Sequence, residues 1–162
     1  MRKKREAREV GMKLGFVIIL ALYLGVLCMR GYAKDVPMDM IHDRFQQEDL
    51  LKGMKKMQEK DLRKYYGIEG QKTNGYFYYK AESPMSEEEL MIVRAKNLNE
   101  AKKYEEAAER RRESQLKSFE GYGAKQTAQL KKAYVGAEGK YVIYMAGEKA
   151  EKWKSAFDKA VK

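Results

Sequence analysis

Asn74-Gly75-Tyr76-Phe77-Tyr78-Tyr79 and, after a Ser83-Pro84 break, Leu90-Met91-Ile92-Val93 form the stretch whose reading decides the fold. Asn-Gly is a turn signal, and the unbroken aromatic run after it favours a strand with both faces at least partly covered. The segment Leu90–Lys96 carries an apolar run that is short and β-branched at its end, which predicts a second strand. Ser86 and Glu89 stand at capping-box spacing, so one helical turn is expected just ahead of it.

Working outward toward the C-terminus, Leu98–Phe119 is rich in Ala, Glu, Lys and Arg and meets no Gly or Pro before Gly121, which predicts one long helix. Its apolar stripe is Ala101, Tyr104, Ala108, Leu116 and Phe119, with Arg112 in the middle. Gly121-Tyr122-Gly123 ends that helix, and Ala124–Lys132 reads as a shorter one. Tyr134-Val135 and Lys140–Met145 flank Ala137-Glu138-Gly139 as a β-hairpin. Ala150, Trp153, Phe157 and Ala160 then line one face of a last helix, with Trp153 as its core anchor.

Toward the N-terminus, Leu50, Leu51, Met54, Met57 and Leu62 recur at three- and four-residue intervals with lysines between them. This predicts a helix that stops at Gly67. Residues 34–47, with Pro37 and the single His42, read as a stalk becoming helical. Two strand pairs joined through helices give an α+β class, a small antiparallel sheet with helices covering one face. Residues 48–162 are enough for one core without disulfides.

Sixteen residues, Leu14 to Met29, carry no charge and are apolar nearly all round a helix, as lipid requires of a spanning segment. They cover roughly 24 Å at ~1.5 Å per residue, and with Gly31, Tyr32 and Ala33 added they approach the hydrocarbon thickness. The division expected is a basic tail at 1–13, a transmembrane signal-anchor at 14–33, the stalk, and an extracytoplasmic domain at 48–162. Of 34 basic and 24 acidic residues, seven and two fall within the first 30, which leaves a net charge of +5 beyond them. That basic start predicts an N-terminus inside the cytoplasmic membrane and a domain outside it. Cleavage after Ala33, as a secretory signal, is the alternative. A lipoprotein anchor at Cys28 fails because Val26 and Leu27 precede it.

One Cys and one His leave too few ligands for most metal sites, and no partner for a Ser or Cys nucleophile. Neither GxGxxG nor a Walker loop occurs, so no cofactor or metal is expected. Glu87, Glu88, Glu89, Glu105, Glu106 and Glu109 keep a paired-carboxylate hydrolase open as the weakest reading. The non-enzymatic reading is preferred.

Arg111-x-x-x-Gln115-x-x-Ser118-Phe119-Glu120-Gly121-Tyr122-Gly123-x-x-Gln126, then Gly139-x-Tyr141-Val142 and the terminal amphipathic helix, together resemble the DUF4358 family. Glu89–Lys96 is similar too, with Arg94 in place of an expected Lys; Ala124 replaces a frequent Pro. The resemblance covers roughly Leu50 to Phe157 and implies an exported bacterial domain of unknown function. It supplies no catalytic residues.

Three functional classes follow. The first is a membrane-tethered module that binds an envelope protein or wall polymer, with Tyr122, Gln126, Tyr79 and Tyr144 as a candidate notch. Twelve tyrosines offer it amphipathic contact area. The second is a binder of an anionic polymer such as teichoic acid, nucleic acid being the less favoured partner, through Arg110, Arg111 and Arg112. The third is the wall hydrolase.

Overall fold

The computed structural model describes residues 15–21, 23–24 and 33–161, and the chain divides into two compact units, Met1–Tyr32 and Ala33–Lys162. In the first unit the described residues are helical, and Phe16, Val17, Ile18, Ile19, Leu20, Tyr23 and Leu24 are exposed. Among the described residues no helix is long and apolar enough to cross a membrane. Much of the expected 14–33 anchor, Cys28 included, lies outside the described residues.

In the second unit the aromatic run is strand β2 (Tyr76–Ala81), antiparallel to β3 (Glu89–Arg94) with Phe77 opposite Ile92 and Tyr79 opposite Leu90. β3 lies at the centre because its other edge takes β5 (Tyr141–Ala146), with Met91 opposite Tyr144. β4 (Tyr134–Glu138) closes the expected hairpin through Gly139-Lys140, where Gly139 has φ +61°. A three-residue strand, β1 (Met54–Lys56), pairs with β2 at the opposite edge. The order is β1-β2-β3-β5-β4, a five-stranded antiparallel sheet in an α+β fold.

Alternation along the strands sends side chains to two faces, and both are buried. Phe77, Tyr79, Leu90, Ile92, Ile143 and Met145 pack against α1 (Met38–Gln47) and the last helix, α5 (Ala150–Val161). Tyr78, Met91, Val93, Val142 and Tyr144 pack against α2 (Glu59–Tyr66) and the long α3 (Leu98–Phe119), with Leu130 of α4 (Ala124–Lys131) in the same cluster. Helices therefore cover both faces, where one was expected. The continuous apolar run of β3 is the cause: with no polar alternation it has no face to offer water.

Three further differences concern the N-terminal half and the β2–β3 connection. Residues 38–47, expected as a stalk becoming helical, do form a helix, α1, but its Met38, Ile41 and Phe45 are core residues. The helix expected from Leu50 is split: Asp49 and Gly53 take φ of +53° and +79°, which ends one element and turns the chain into β1. Helix resumes only at Glu59, with Asp61 accepting from the Gln58 N–H at 3.0 Å and Gly67 as the left-handed stop. No helical turn forms at Ser86; its hydroxyl accepts from the Glu88 N–H at 3.2 Å, and Glu89 already belongs to the strand. The long helix stands as expected, opened by the Asn97 side chain on the Glu100 N–H at 2.9 Å. Trp153 is fully buried and donates to the Leu50 carbonyl at 3.0 Å.

Candidate functional site

Glu89 opens β3 on the same face as Met91 and Val93, so its carboxylate enters the core beneath α2 and α3 and is 0% exposed. An unpaired carboxylate there would be very costly, and five hydrogen bonds compensate. Oε1 accepts from the hydroxyls of Tyr66, at 2.7 Å, and Tyr78, at 2.9 Å, and from Arg111 Nε at 3.1 Å. Oε2 accepts from Arg111 Nη2 at 2.8 Å and from Gln115 Nε2 at 3.1 Å. Arg111 and Gln115 reach one carboxylate because they stand one turn apart on α3. The Gln115 amide oxygen in turn accepts from the Tyr144 hydroxyl, and Lys80, opposite Glu89 in the sheet, brings Nζ to 3.7 Å.

The electrostatics hold the three tyrosines and Arg111 in their protonated forms. Burial, and then the Glu89 charge, push the Tyr66, Tyr78 and Tyr144 hydroxyls well above the usual tyrosine range, so all three remain donors. Burial works against the charge of Arg111, but the hydrogen bonds and charge of Glu89 outweigh it and hold the guanidinium protonated. With both oxygens engaged, Glu89 is a poor general acid or base. It organises a polar core that fixes Arg111.

Fixing Arg111 shapes the adjoining surface. Its guanidinium lies 4.4 Å from the Tyr65 ring centroid, and Lys80 and Lys64 stand 4.5 and 5.2 Å from the same ring. Beside them a notch of about 380 Å³ is lined by Lys64, Tyr65, Ala107, Arg110, Arg111 and Ser114, with Tyr66 and Gly67 completing the wall.

A larger groove, about 1060 Å³, runs along the α3–α4 corner over Leu116, Phe119, Tyr122, Ala124, Thr127 and Ala128. Tyr122 is 65% exposed, with its ring centroid 5.9 Å from that of Phe119.

The expected notch of Tyr122, Gln126, Tyr79 and Tyr144 does not assemble. Tyr79 and Tyr144 are buried on opposite faces of the sheet, one against His42 at 2.9 Å and the other against Gln115. Gln126 donates to the Met85 carbonyl at 3.3 Å and ties the corner to the loop before β3. The three-arginine run points in three directions, as successive helical residues must. Arg110 is exposed, Arg111 is turned onto Glu89, and Arg112 pairs with Glu109 at 2.6 Å. Glu105 accepts from the Ala137 N–H of the edge strand at 3.2 Å. Among the described residues, no group of three or more His, Cys, Asp or Glu could hold a metal.

Sequence reasoning passed over Glu89 as the centre of a network, and Tyr65 with it. The signal was present: Glu89 has the parity of Met91 and Val93, and Arg111 and Gln115 have the spacing of one helix face.

A family model described as a domain of unknown function, DUF4358, matches residues 46–147, a span from the end of α1 to just past β5. No curated protein and no solved structure matches the chain.

Proposed function

The chain belongs to the DUF4358 family, domains of unknown function, and on that premise we propose that it is a non-enzymatic interaction module, tethered to the outer face of the cytoplasmic membrane, that binds an envelope protein. The observation that carries this reading is Tyr122. It stands 65% exposed over the groove floored by Leu116 and Phe119. A large ring with a polar tip on an apolar surface is what a protein contact uses, since it buries much area at small entropic cost. The tether is supported by the apolar side chains that Phe16 to Leu20, Tyr23 and Leu24 leave exposed, a pattern that lipid accommodates and water does not.

The same geometry disfavours the two other readings. A polymer-binding tract needs the three arginines on one surface, and only Arg110 projects freely from the run. A hydrolase centred on Glu89 would need that carboxylate available, and both of its oxygens are engaged.

A photoreactive amino acid placed at position 122 of the full chain in living cells tests the proposal. One discrete adduct with an envelope protein is expected, absent when the probe stands at the exposed Lys103 on the body of α3. Equal labelling from both positions, or no adduct from either, would refute the groove as the contact. Protease shaving of the same cells, with a C-terminal tag, should remove the tag; a tag protected until lysis would overturn the topology.

A further inference from the structure

We infer that the notch between the end of α2 and the middle of α3 is a binding site for a single phosphate group. Three cationic side chains, Lys64, Arg110 and Arg111, converge on its wall, the hydroxyl-bearing Tyr65 and Ser114 join them, and no carboxylate lines it. Lys80 stands 4.5 Å from the Tyr65 ring centroid, with its Nζ 3.7 Å from Glu89 Oε2. Glu89 is fully buried and pairs with Arg111 on its inner side. The charges an anion would meet at the notch are therefore chiefly those of Lys64 and Arg110.

The site is also built in advance. Arg111 is held by two hydrogen bonds to Glu89 and by the Tyr65 ring, and its side chain is only 11% exposed. Its charge therefore stands fixed at the notch before any ligand arrives, which lowers the ordering cost of binding. Lys64 and Arg110, both exposed, supply the mobile donors that close on the anion. A volume of about 380 Å³ accepts a phosphate and part of what it is attached to. This resolves the arginine run differently from a polymer tract: one member is structural, one faces the ligand, and one pairs with Glu109. The site is separate from the Tyr122 groove, and its failure would leave that proposal standing.

A phosphate could come free, as a monoester, or within a phosphodiester polymer. The full chain in an uncharged maltoside detergent is titrated calorimetrically with inorganic phosphate and, separately, with dimethyl phosphate, at ionic strength held constant with chloride. Saturable binding at one site per chain is expected. It should weaken by about tenfold or more in Lys64→Ala/Arg110→Ala and stay unchanged in Lys125→Ala, an exposed lysine on α4. Binding of inorganic phosphate alone identifies a free or monoester ligand, and binding of both identifies a diester as competent. Failure of both to saturate, or a double variant that binds as tightly as the parent, overturns the inference. Thermal melts check that the variants fold, and Arg110→Gln, which keeps most of the side chain, must weaken binding in the same direction.

Discussion

At the scale of single residues, Glu89 and Arg111 illustrate how a charge survives in a core. Neither tolerates burial alone; together, with Tyr66, Tyr78 and Gln115, they satisfy one another. Glu89→Ala is expected to destabilise the fold by about 3–5 kcal/mol, mostly because Arg111 is left buried without its counter-charge. Arg111→Ala should cost a similar amount, and the double variant clearly less than the two combined, with a coupling of about 1–3 kcal/mol. Urea denaturation of the four proteins measures this, and strictly additive losses would show that the pair is not coupled. The pair was only half legible in the chain. Arg111 and Gln115 share a helix face by spacing alone, but in the run of three glutamates at 87–89 both Glu87 and Glu89 are buried, and the parity that puts Glu89 with Met91 and Val93 has meaning only if the strand already includes it. The strand's first residue is known only once the sheet has formed.

At the scale of elements, those with a strong local period were readable and those shaped by the ends of the sheet were not. The long α3, the β4–β5 hairpin and α5 carry their own signals: an Ala/Glu/Lys/Arg run without Gly or Pro, a Gly turn between β-branched and aromatic residues, and apolar residues at helical spacing. The helix expected from Leu50 failed because its spacing of three and four also fits a turn, an edge strand and a separate helix, and left-handed Asp49 and Gly53 select that alternative. The core role of α1, though not its helicity, was concealed for another reason. Its apolar residues are few, and they become a core face only when Phe77 lies beneath them; the Phe45 and Phe77 ring centroids are 5.4 Å apart. Gly75 fits the same contact: with φ +113°, a Cβ there would lie 2.8 Å from Met38 Cγ. Phe45→Ala should therefore cost about 3–5 kcal/mol in urea denaturation, where a stalk residue would cost nothing measurable.

At the scale of the whole folded unit, two helical layers on one sheet place three tyrosine hydroxyls, those of Tyr66, Tyr78 and Tyr144, around one buried charge. Their raised pKa values set the alkaline limit. Below the ordinary tyrosine value of 10.0 both states hold these protons and the stabilisation is intact. Above it the unfolded chain releases three protons that the folded chain keeps, so stability falls by about 4 kcal/mol per pH unit. Against a typical total of about 5–15 kcal/mol, cooperative unfolding is expected within a few pH units above 10. The loss of far-UV circular dichroism should coincide with a late tyrosinate absorbance step. If all tyrosines ionised gradually with the helices intact, the hydroxyls would not be buried as described. The sequence by itself determined the α+β class, the antiparallel strand pairs and the long and terminal helices, because each rests on periodicity or turn chemistry within a few residues, and the resemblance of the segments between Glu89 and Val142 pointed to the family. Only the tertiary structure decided that both sheet faces are covered, that residues 38–47 belong to the core, that Tyr79 and Tyr144 never meet, and that Arg111 lies between a buried carboxylate and a cationic notch. Those outcomes depend on which distant residues share a face, and that is fixed by strand order and register rather than by neighbours in the chain.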